Sequence, residues 1–222
     1  MVLSSVLKNV NKDLPTIFFI RHGDKLKARS LEEDAFCPLS KKGLLNSRRL
    51  GILLKKEMGH ITSILSSPIQ RCIETGQILA EGNNTKLSLE KDFILRCAYI
   101  DSPEEALDTF RQYQLPDIVR KQLKGESLKG FSSIEEGTQR LLSMILQRFK
   151  KEKQLDICIT HDLLLTTFFF ALTQINEQHI EKEWFGYLDG FCLQQPSDGN
   201  LRMYRDACTF DIDVSTGSKS AR

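Results

Sequence analysis

Two hydrophobic patterns alternate along the chain, a short apolar run and a longer amphipathic stretch. The apolar runs are typical of buried strands and lie at residues 16–20, 61–67, 85–90 and 155–160. The stretches with apolar side chains at helical spacing lie at residues 40–57, 68–82 and 134–151, and a further helix that is apolar on all sides starts near residue 163. This alternation predicts an α/β fold with a mostly parallel central sheet and helices on both faces.

Three segments depart from this alternation. Residues 190–205 have the pattern of two strands around a Pro-Ser-Asp-Gly-Asn turn, which predicts an antiparallel hairpin at the sheet edge near the C-terminus. Residues 92–133 mix short apolar pieces with proline and glycine, which predicts an insertion over the carboxyl ends of the strands. Residues 211–222 are small and polar, as in a flexible tail. We therefore expect a single domain over residues 1–210.

Composition and charge exclude several classes of protein. The 222 residues include 31 basic and 29 acidic side chains, so a net charge of +2 offers no general attraction for nucleic acid. The first 15 residues lack the apolar core of a signal peptide, and no later stretch approaches the length of a membrane span. We expect a cytoplasmic protein with neither a nucleic acid nor a membrane as partner.

The cysteines are scattered singly, without a CxxC pair and without histidines at the spacing of zinc ligands. This pattern predicts reduced, mostly buried thiols and no metal site. The cysteines are Cys37, Cys72, Cys97, Cys158, Cys192 and Cys208.

Polar, reactive side chains follow three of the predicted strands, in "IRHGDK", "LSSPIQRCIET" and "CITHD". Ligands of open α/β sheets bind outside the carboxyl ends of the strands, so we expect these segments to meet at one rim. Two guanidinium groups and two imidazoles at one point suit a tetrahedral oxyanion, above all a phosphate. The residues in question are Arg21, His22, Arg71, His161 and Asp162.

Two small residue types beside these motifs have expected local roles. Gly23 lacks a side chain, so the backbone there can turn sharply and approach the anion closely. Ser66 and Ser67 precede Pro68, where hydroxyl groups most often cap the following helix. We expect the serines to be structural.

The three motifs, in this order, resemble those of the histidine phosphatase superfamily, which includes the cofactor-dependent phosphoglycerate mutases and the histidine acid phosphatases. The resemblance spans residues 16–205 approximately. It implies that His22 is the nucleophile that becomes phosphorylated. A neutral imidazole can attack phosphorus if its other nitrogen donates to a fixed acceptor. Arg21, Arg71 and His161 would hold the phosphate oxygens, and the scheme needs no metal and no cofactor.

The proton donor for the leaving group is less uniform in this superfamily. The mutase-like branch uses a glutamate after the third strand, and Cys97 falls in the corresponding place here. The acid-phosphatase-like branch uses the aspartate after the second histidine, which implies Asp162. We expect Asp162 to be the general acid, with Glu104 or Glu105 of the insertion as the alternative.

Lys25 is a further candidate for the phosphate site. The acid-phosphatase-like branch has an arginine two residues after the glycine of its first motif, and Lys25 occupies that position here. A lysine can pair with phosphate as a point charge, although it lacks the two-pronged geometry of arginine.

We expect a metal-independent phosphatase that hydrolyses a phosphomonoester through a phosphohistidine. The alternatives are a mutase-like phosphoryl transfer and a non-catalytic module that binds phosphorylated partners. The substrate would be a phosphorylated small molecule or a phosphoprotein.

Overall fold

The computed structural model describes residues 3–149, 153–196 and 200–214. Its helices are α1 (Leu3–Asn9), α2 (Leu31–Asp34), α3 (Lys41–Met58), α4 (Gln70–Asn83), α5 (Ile94–Cys97), α6 (Pro103–Gln112), α7 (Leu115–Leu123), α8 (Ile134–Arg148) and α9 (Asp162–Thr173). Its strands are β1 (Thr16–Arg21), β2 (Ser63–Ser66), β3 (Glu90–Lys91), β4 (Leu155–Thr160), β5 (Gly190–Gln194), β6 (Leu201–Arg205) and β7 (Cys208–Ile212).

The strands of the described residues form one sheet in the order β3-β2-β4-β1-β5-β6-β7. Strands β1 to β4 pair in parallel, and β5, β6 and β7 continue the sheet in antiparallel pairing from β1. The predicted α/β class, with a parallel centre and antiparallel strands near the C-terminus, is confirmed.

Side chains from β1 enter both halves of the hydrophobic core. Ile17 and Phe19 are fully buried on the face that packs against α8 and α9. Phe18 and Ile20 are fully buried on the opposite face, with α1, α3 and α4. Because successive side chains of a strand point to opposite faces, a strand covered on both sides must be apolar throughout, and this explains the unbroken run in the sequence.

Aromatic rings fill the core beneath α9. Its three consecutive phenylalanines, Phe168, Phe169 and Phe170, are buried, as expected for a helix that is apolar on all sides. The ring centroid of Phe19 lies 5.4 Å from that of Phe191 and 5.8 Å from that of Phe168. These contacts tie α9 to the centre of the sheet.

The third strand differs from the prediction. It was expected at residues 85–90, but β3 contains only Glu90 and Lys91. Part of the difference follows from the register: β2 begins at Ser63 and Leu65 pairs with Glu90, so residues 85–87 lie before the start of β2 and have no partner there. Pairing with β3 is confined to Leu65 and Ser66.

The C-terminal strands extend beyond the predicted hairpin. Strands β5 and β6 pair as expected, while residues 197–199 of the predicted turn lie outside the described residues. A further strand, β7, pairs with β6 after a turn in which Asp206 takes a φ of 50°. Asp211 and Ile212 of the predicted tail belong to β7, and residues 215–222 lie outside the described structure.

The cysteines are all free, and Cys37, Cys72, Cys158 and Cys192 are buried. Burial raises the pKa of the Cys72 thiol to about 12 and raises the pKa values of Cys158 and Cys192 as well. The prediction of mostly buried, reduced thiols is therefore confirmed, with Cys97 half-buried and Cys208 exposed. Among the described residues, no helix combines the length and apolar character needed to cross a membrane.

Replacing Phe168 tests whether the aromatic core stabilises the sheet as described. Phe168→Ala should lower the free energy of unfolding by about 3–5 kcal/mol, because it leaves a cavity against Phe19 and Phe191. Urea unfolding followed by circular dichroism measures the change. Phe36→Ala is the matched control, since Phe36 is 80% exposed, and should alter stability by no more than about 0.5 kcal/mol. Equal losses in the two variants would contradict this account of the core.

Candidate active site

The parallel register brings three motifs to one edge of the sheet. Arg21, the last residue of β1, pairs with Thr160, the last residue of β4. Ser66, at the end of β2, pairs with Ile159 of β4. The residues that follow these strand ends, His22, His161 and Ser67, therefore leave the sheet side by side, as the sequence predicts.

A fourth segment reaches the same edge because β5 runs antiparallel to β1. The Phe185 carbonyl accepts a hydrogen bond from Arg21 Nη1 at 2.8 Å, and the Arg21 guanidinium carbon lies 4.3 Å from the centre of the Tyr187 ring. Trp184 Nε1 donates to Asp162 Oδ2 at 3.3 Å. The sequence analysis missed this segment, although its aromatic run "WFGY" directly before a strand is a usable signal.

His22 is held as a neutral imidazole with one defined tautomer. The side chain is 2% exposed, and its Nδ1 lies 2.8 Å from the Gly23 carbonyl, to which it donates. Nε2 accepts a hydrogen bond from Arg71 Nε at 3.0 Å and so carries the lone pair. Burial, the nearby His161 and the Arg71 guanidinium lower the pKa of His22 well below its usual range.

Arg71 lies at the centre of the site and is 8% exposed. Besides His22, it donates from Nη1 to the Asp34 carbonyl at 2.6 Å, and its Nη2 lies 3.2 Å from Asp34 Oδ2. Nη2 also lies 3.4 Å from His161 Nδ1. An anion that binds Arg71 must therefore replace some of these protein partners.

Asp34 was not among the predicted site residues. It ends α2, a short helix whose N-cap Ser30 accepts from the backbone N–H of Glu33. Serine followed three residues later by glutamate is a recognised signal for a helix start, so the helix was detectable in the sequence. The contact between Asp34 and Arg71 was not detectable in the sequence, because the two residues lie 37 positions apart in the chain.

His161 lies beside His22, with 5.4 Å between the ring centroids. Its Nε2 is 2.9 Å from Ser67 Oγ. Burial, followed by the charges of Arg71 and Arg21, lowers the pKa of His161 to about 3. The expected capping role of Ser66 and Ser67 is wrong, because the N-cap of α4 is Ile69, without a side-chain cap, and Ser67 instead contacts His161.

Arg21 and Asp162 form an ion pair at the same edge. Arg21 Nη2 lies 2.8 Å from Asp162 Oδ2. Asp162 Oδ1 accepts from the backbone N–H of Leu163 at 3.0 Å, in the first turn of α9, where a helix favours negative charge. Both carboxylate oxygens of Asp162 therefore have fixed partners.

Lys25 joins the cluster through a carboxylate. Its Nζ lies 2.6 Å from Asp34 Oδ1, so Asp34 bridges Lys25 and Arg71. A direct contact between Lys25 and phosphate stays a prediction. Glu104 and Glu105, the alternative donors, are exposed in the first turn of α6.

The glycine of the first motif has a packing role, while its predicted close approach to an anion stays a prediction. Gly23 takes no positive φ. A Cβ atom at this position would lie 2.9 Å from Ser47 Oγ, and the Gly23 N–H donates to Thr75 Oγ1 at 2.9 Å. The absence of a side chain lets the loop pack against α3 and α4, which fixes His22 in place.

A cavity of about 440 Å³ opens at these residues. Arg71, His161 and Asp162 line it, together with Asp34. His22 and Arg21 are not among the lining residues, whereas the lining also includes residues between 96 and 115, which we call the distal wall. These residues belong to the predicted insertion at 92–133, and they include Cys97 but neither Glu104 nor Glu105.

Within the described ranges, we find no cluster of side chains that could hold a metal ion. Such a cluster would need at least three histidine, cysteine, aspartate or glutamate side chains. The chemistry available at this edge of the sheet is instead that of a neutral imidazole, two guanidinium groups and a carboxylate. Such a set can bind an oxyanion, attack it and move a proton.

Comparison with known proteins gives a family match over most of the chain. The model of the histidine phosphatase superfamily (branch 1) matches residues 17–185. No curated protein matches the chain.

Solved structures of phosphatases and a mutase share the fold. A phosphoserine phosphatase mutant from Entamoeba histolytica in complex with phosphoserine has a TM-score of 0.60 and 16% identity, over 87% of this chain and 98% of that one. The protein histidine phosphatase SixA complexed with tungstate has a TM-score of 0.54 and 18% identity, over 89% of this chain and 96% of that one. A phosphoglycerate mutase from Bacillus anthracis has a TM-score of 0.56 and 20% identity, over 93% and 96%.

The lowered pKa of His161 predicts a loss of stability in mild acid. An unfolded histidine takes up a proton near pH 6.5, whereas folded His161 resists protonation down to about pH 3. Its contribution to stability is therefore complete above about pH 6.5 and declines as the pH falls below that value. Between pH 7 and pH 5 this contribution falls by about 2 kcal/mol.

Urea unfolding of the protein and of His161→Gln at the two pH values measures this effect. The variant should lose less stability than the unmodified protein on acidification, by about 2 kcal/mol. His60→Gln is the control, because His60 is exposed, and should keep the original pH dependence. An equal acid sensitivity in the His161→Gln variant would contradict the burial of a neutral imidazole.

Proposed function

Because the chain belongs to the histidine phosphatase superfamily, we propose that it is a phosphatase that hydrolyses a phosphomonoester through a phosphohistidine on His22. The observation that carries the proposal is the pair of contacts at the His22 ring. Nδ1 donates to the Gly23 carbonyl at 2.8 Å, and Nε2 accepts from Arg71 at 3.0 Å. This arrangement leaves the nucleophilic lone pair on Nε2 and directs it at the main cation of the site.

In the first step, His22 Nε2 attacks the phosphorus atom. The N–P bond forms as the ester P–O bond breaks, and the leaving oxygen takes a proton from Asp162, which has received it from the incoming monoanionic ester as the phosphate oxygens replace Asp162 on Arg21. The phosphate oxygens replace protein partners on Arg71 and lie against Arg21 and His161. These groups stabilise the charge that develops on the transferring phosphoryl group.

In the second step, water hydrolyses the phosphohistidine. The Asp162 carboxylate takes a proton from the water as the new P–O bond forms and the N–P bond breaks. Inorganic phosphate leaves with this proton, and His22 returns to its neutral form with Asp162 ionised and paired with Arg21 again. The two steps together consume one water molecule for each ester.

The assignment of the proton donor to Asp162 rests on the carboxylates of this chain. The matched family model is that of branch 1, whereas the "THD" motif resembles the acid-phosphatase branch, so the comparisons favour neither donor. Asp162 lines the cavity next to His161, and Arg21, Trp184 and Leu163 hold its oxygens. Glu104 and Glu105 are exposed outside the cavity lining, which supports Asp162.

Hydrolysis is also supported over the two alternatives of the sequence analysis. Cys97, rather than a carboxylate, lines the cavity where the resemblance to the mutases implies a glutamate. A non-catalytic binding module would not need a neutral imidazole with a fixed tautomer. We propose that the protein acts in the cytoplasm on a phosphorylated small molecule or a phosphoprotein.

Replacement of the nucleophile should abolish turnover. His22→Ala should release no phosphate from 4-nitrophenyl phosphate, because it removes the proposed nucleophile. Rapid acid-free quenching with ³²P-labelled substrate should trap label on the unmodified protein at His22 and none on the variant. His60→Ala, at an exposed position, is the control and should behave like the unmodified protein. Label on any residue other than His22 would refute the assignment.

Replacement of the proposed acid should make the rate depend on the leaving group. Asp162→Asn should slow hydrolysis of a sugar phosphate by about 10²–10⁴-fold, because an alkoxide needs a proton to leave. Phosphorylation of His22 by 4-nitrophenyl phosphate should stay fast, since nitrophenolate leaves without one. A burst of nitrophenol followed by slow turnover would show that Asp162 also activates water.

Glu104→Gln and Glu105→Gln serve as controls for this experiment. Both should keep the original rates on the two substrates, because their side chains lie outside the cavity lining. If either glutamine variant shows the dependence on the leaving group and Asp162→Asn does not, the donor belongs to the insertion.

A further inference from the structure

The distal wall of the cavity, formed by its lining residues between 96 and 115, is largely apolar and contains one cation. Ile100, Leu107, Phe110 and Leu115 contribute apolar side chains, and Tyr99 and Tyr113 add two further aromatic rings. Arg96 is the cation. Arg71, His161 and Asp162, which are proposed to act on the phosphate, line the same cavity, so it combines a polar set of groups with an apolar one.

Arg96 differs from the neighbouring arginines because it has no carboxylate partner among the described residues. Arg111, Arg120 and Arg140 each pair with a carboxylate, at 2.9, 2.6 and 2.8 Å. Within the described part of the chain, the Arg96 guanidinium has neither a hydrogen bond nor an ion pair, although aspartates and glutamates are common on the surrounding helices. Its charge is free to bind a ligand in the cavity.

A backbone contact places Arg96 close to the reacting groups. Thr160, the last residue of β4, donates from its hydroxyl to the carbonyl of Leu95, the residue before Arg96. This bond holds α5 against the strand end from which His161 emerges. The positive charge of Arg96 is one of the influences that lower the pKa of His161, which agrees with this placement.

We propose that the preferred substrate is the phosphomonoester of an aromatic alcohol that carries a second anionic group, and that Arg96 binds this second anion. The proposal rests on the hydrolysis proposed above and names its substrate class. Phe110 and Tyr113 would contact the aromatic body of the leaving group. A guanidinium can hold a carboxylate through two parallel hydrogen bonds. The volume of about 440 Å³ suits a small molecule of this kind.

A matched pair of substrates tests the proposal. The probes are 4-carboxyphenyl phosphate and its methyl ester, which differ in charge but share the ring. The ratio of kcat/KM for the acid to that for the ester is measured for the unmodified protein, for Arg96→Gln and for Arg49→Gln. Arg49 is the control, because it is an exposed arginine of α3 outside the cavity lining.

The ratio in Arg96→Gln should be lower than in the unmodified protein by about tenfold or more, chiefly through a higher KM for the acid. The two leaving phenols differ in acidity, but this difference affects the ratio equally in every protein. It therefore cancels when the ratios of the variants are compared with that of the unmodified protein. Arg49→Gln should keep the original ratio. An unchanged ratio in Arg96→Gln would overturn the proposal.

Binding to the inactive protein separates this proposal from the proposed hydrolysis. Calorimetry on His22→Ala should show tighter binding of the acid than of the ester, and the double variant with Arg96→Gln should lose that preference. If His22→Ala shows Arg96-dependent binding but the unmodified protein forms no phosphohistidine, the proposed hydrolysis is refuted. The binding of the second anion by Arg96 is then retained. Equal binding of the two probes to His22→Ala, or binding of neither, would overturn the inference even if both are hydrolysed.

Discussion

The parallel pairing of β4 with both β1 and β2 is the constraint on which the site depends. It aligns the ends of the three strands, so that His22, His161 and Ser67 leave the sheet together. The register itself is secured by burial, because β1 and β4 are mostly apolar, are buried on both faces and pack between two layers of helices. The hydrophobic pattern of the strands thus sets the positions of the polar groups that follow them, His22, His161 and Ser67.

Charge balance within the protein determines how an anion can enter this site. Arg71 is shared between His22, His161 and Asp34, and Arg21 is paired with Asp162. Each guanidinium is therefore partly neutralised before a ligand binds, which makes buried positive charge tolerable. Under the proposed function, a phosphate would bind by exchange, taking donors from Asp34 and from the imidazoles. The same exchange would release the His22 Nε2 lone pair from Arg71 at the moment when the phosphorus arrives.

Two parts of the chain line the cavity with different kinds of side chain. The ends of the central strands supply groups suited to phosphoryl chemistry, and the register of the sheet fixes their positions. The helices of residues 92–133 supply the distal wall, where apolar side chains surround Arg96. If the insertion selects the substrate as proposed, recognition could vary separately from the chemistry at the strand ends.

The sequence by itself determined the fold class, the main helices, the buried strands and the three motifs with their candidate residues, because each depends on periodicity or on neighbours within one contiguous segment. Only the tertiary structure decided which residues surround those candidates. Asp34, Ser67 and Tyr187 meet Arg71, His161 and Arg21 across 37, 94 and 166 positions of the chain, respectively. It also limited β3 to two residues, because a strand needs a partner along its length. Contacts of this kind depend on how separate segments pack, and no local pattern records them.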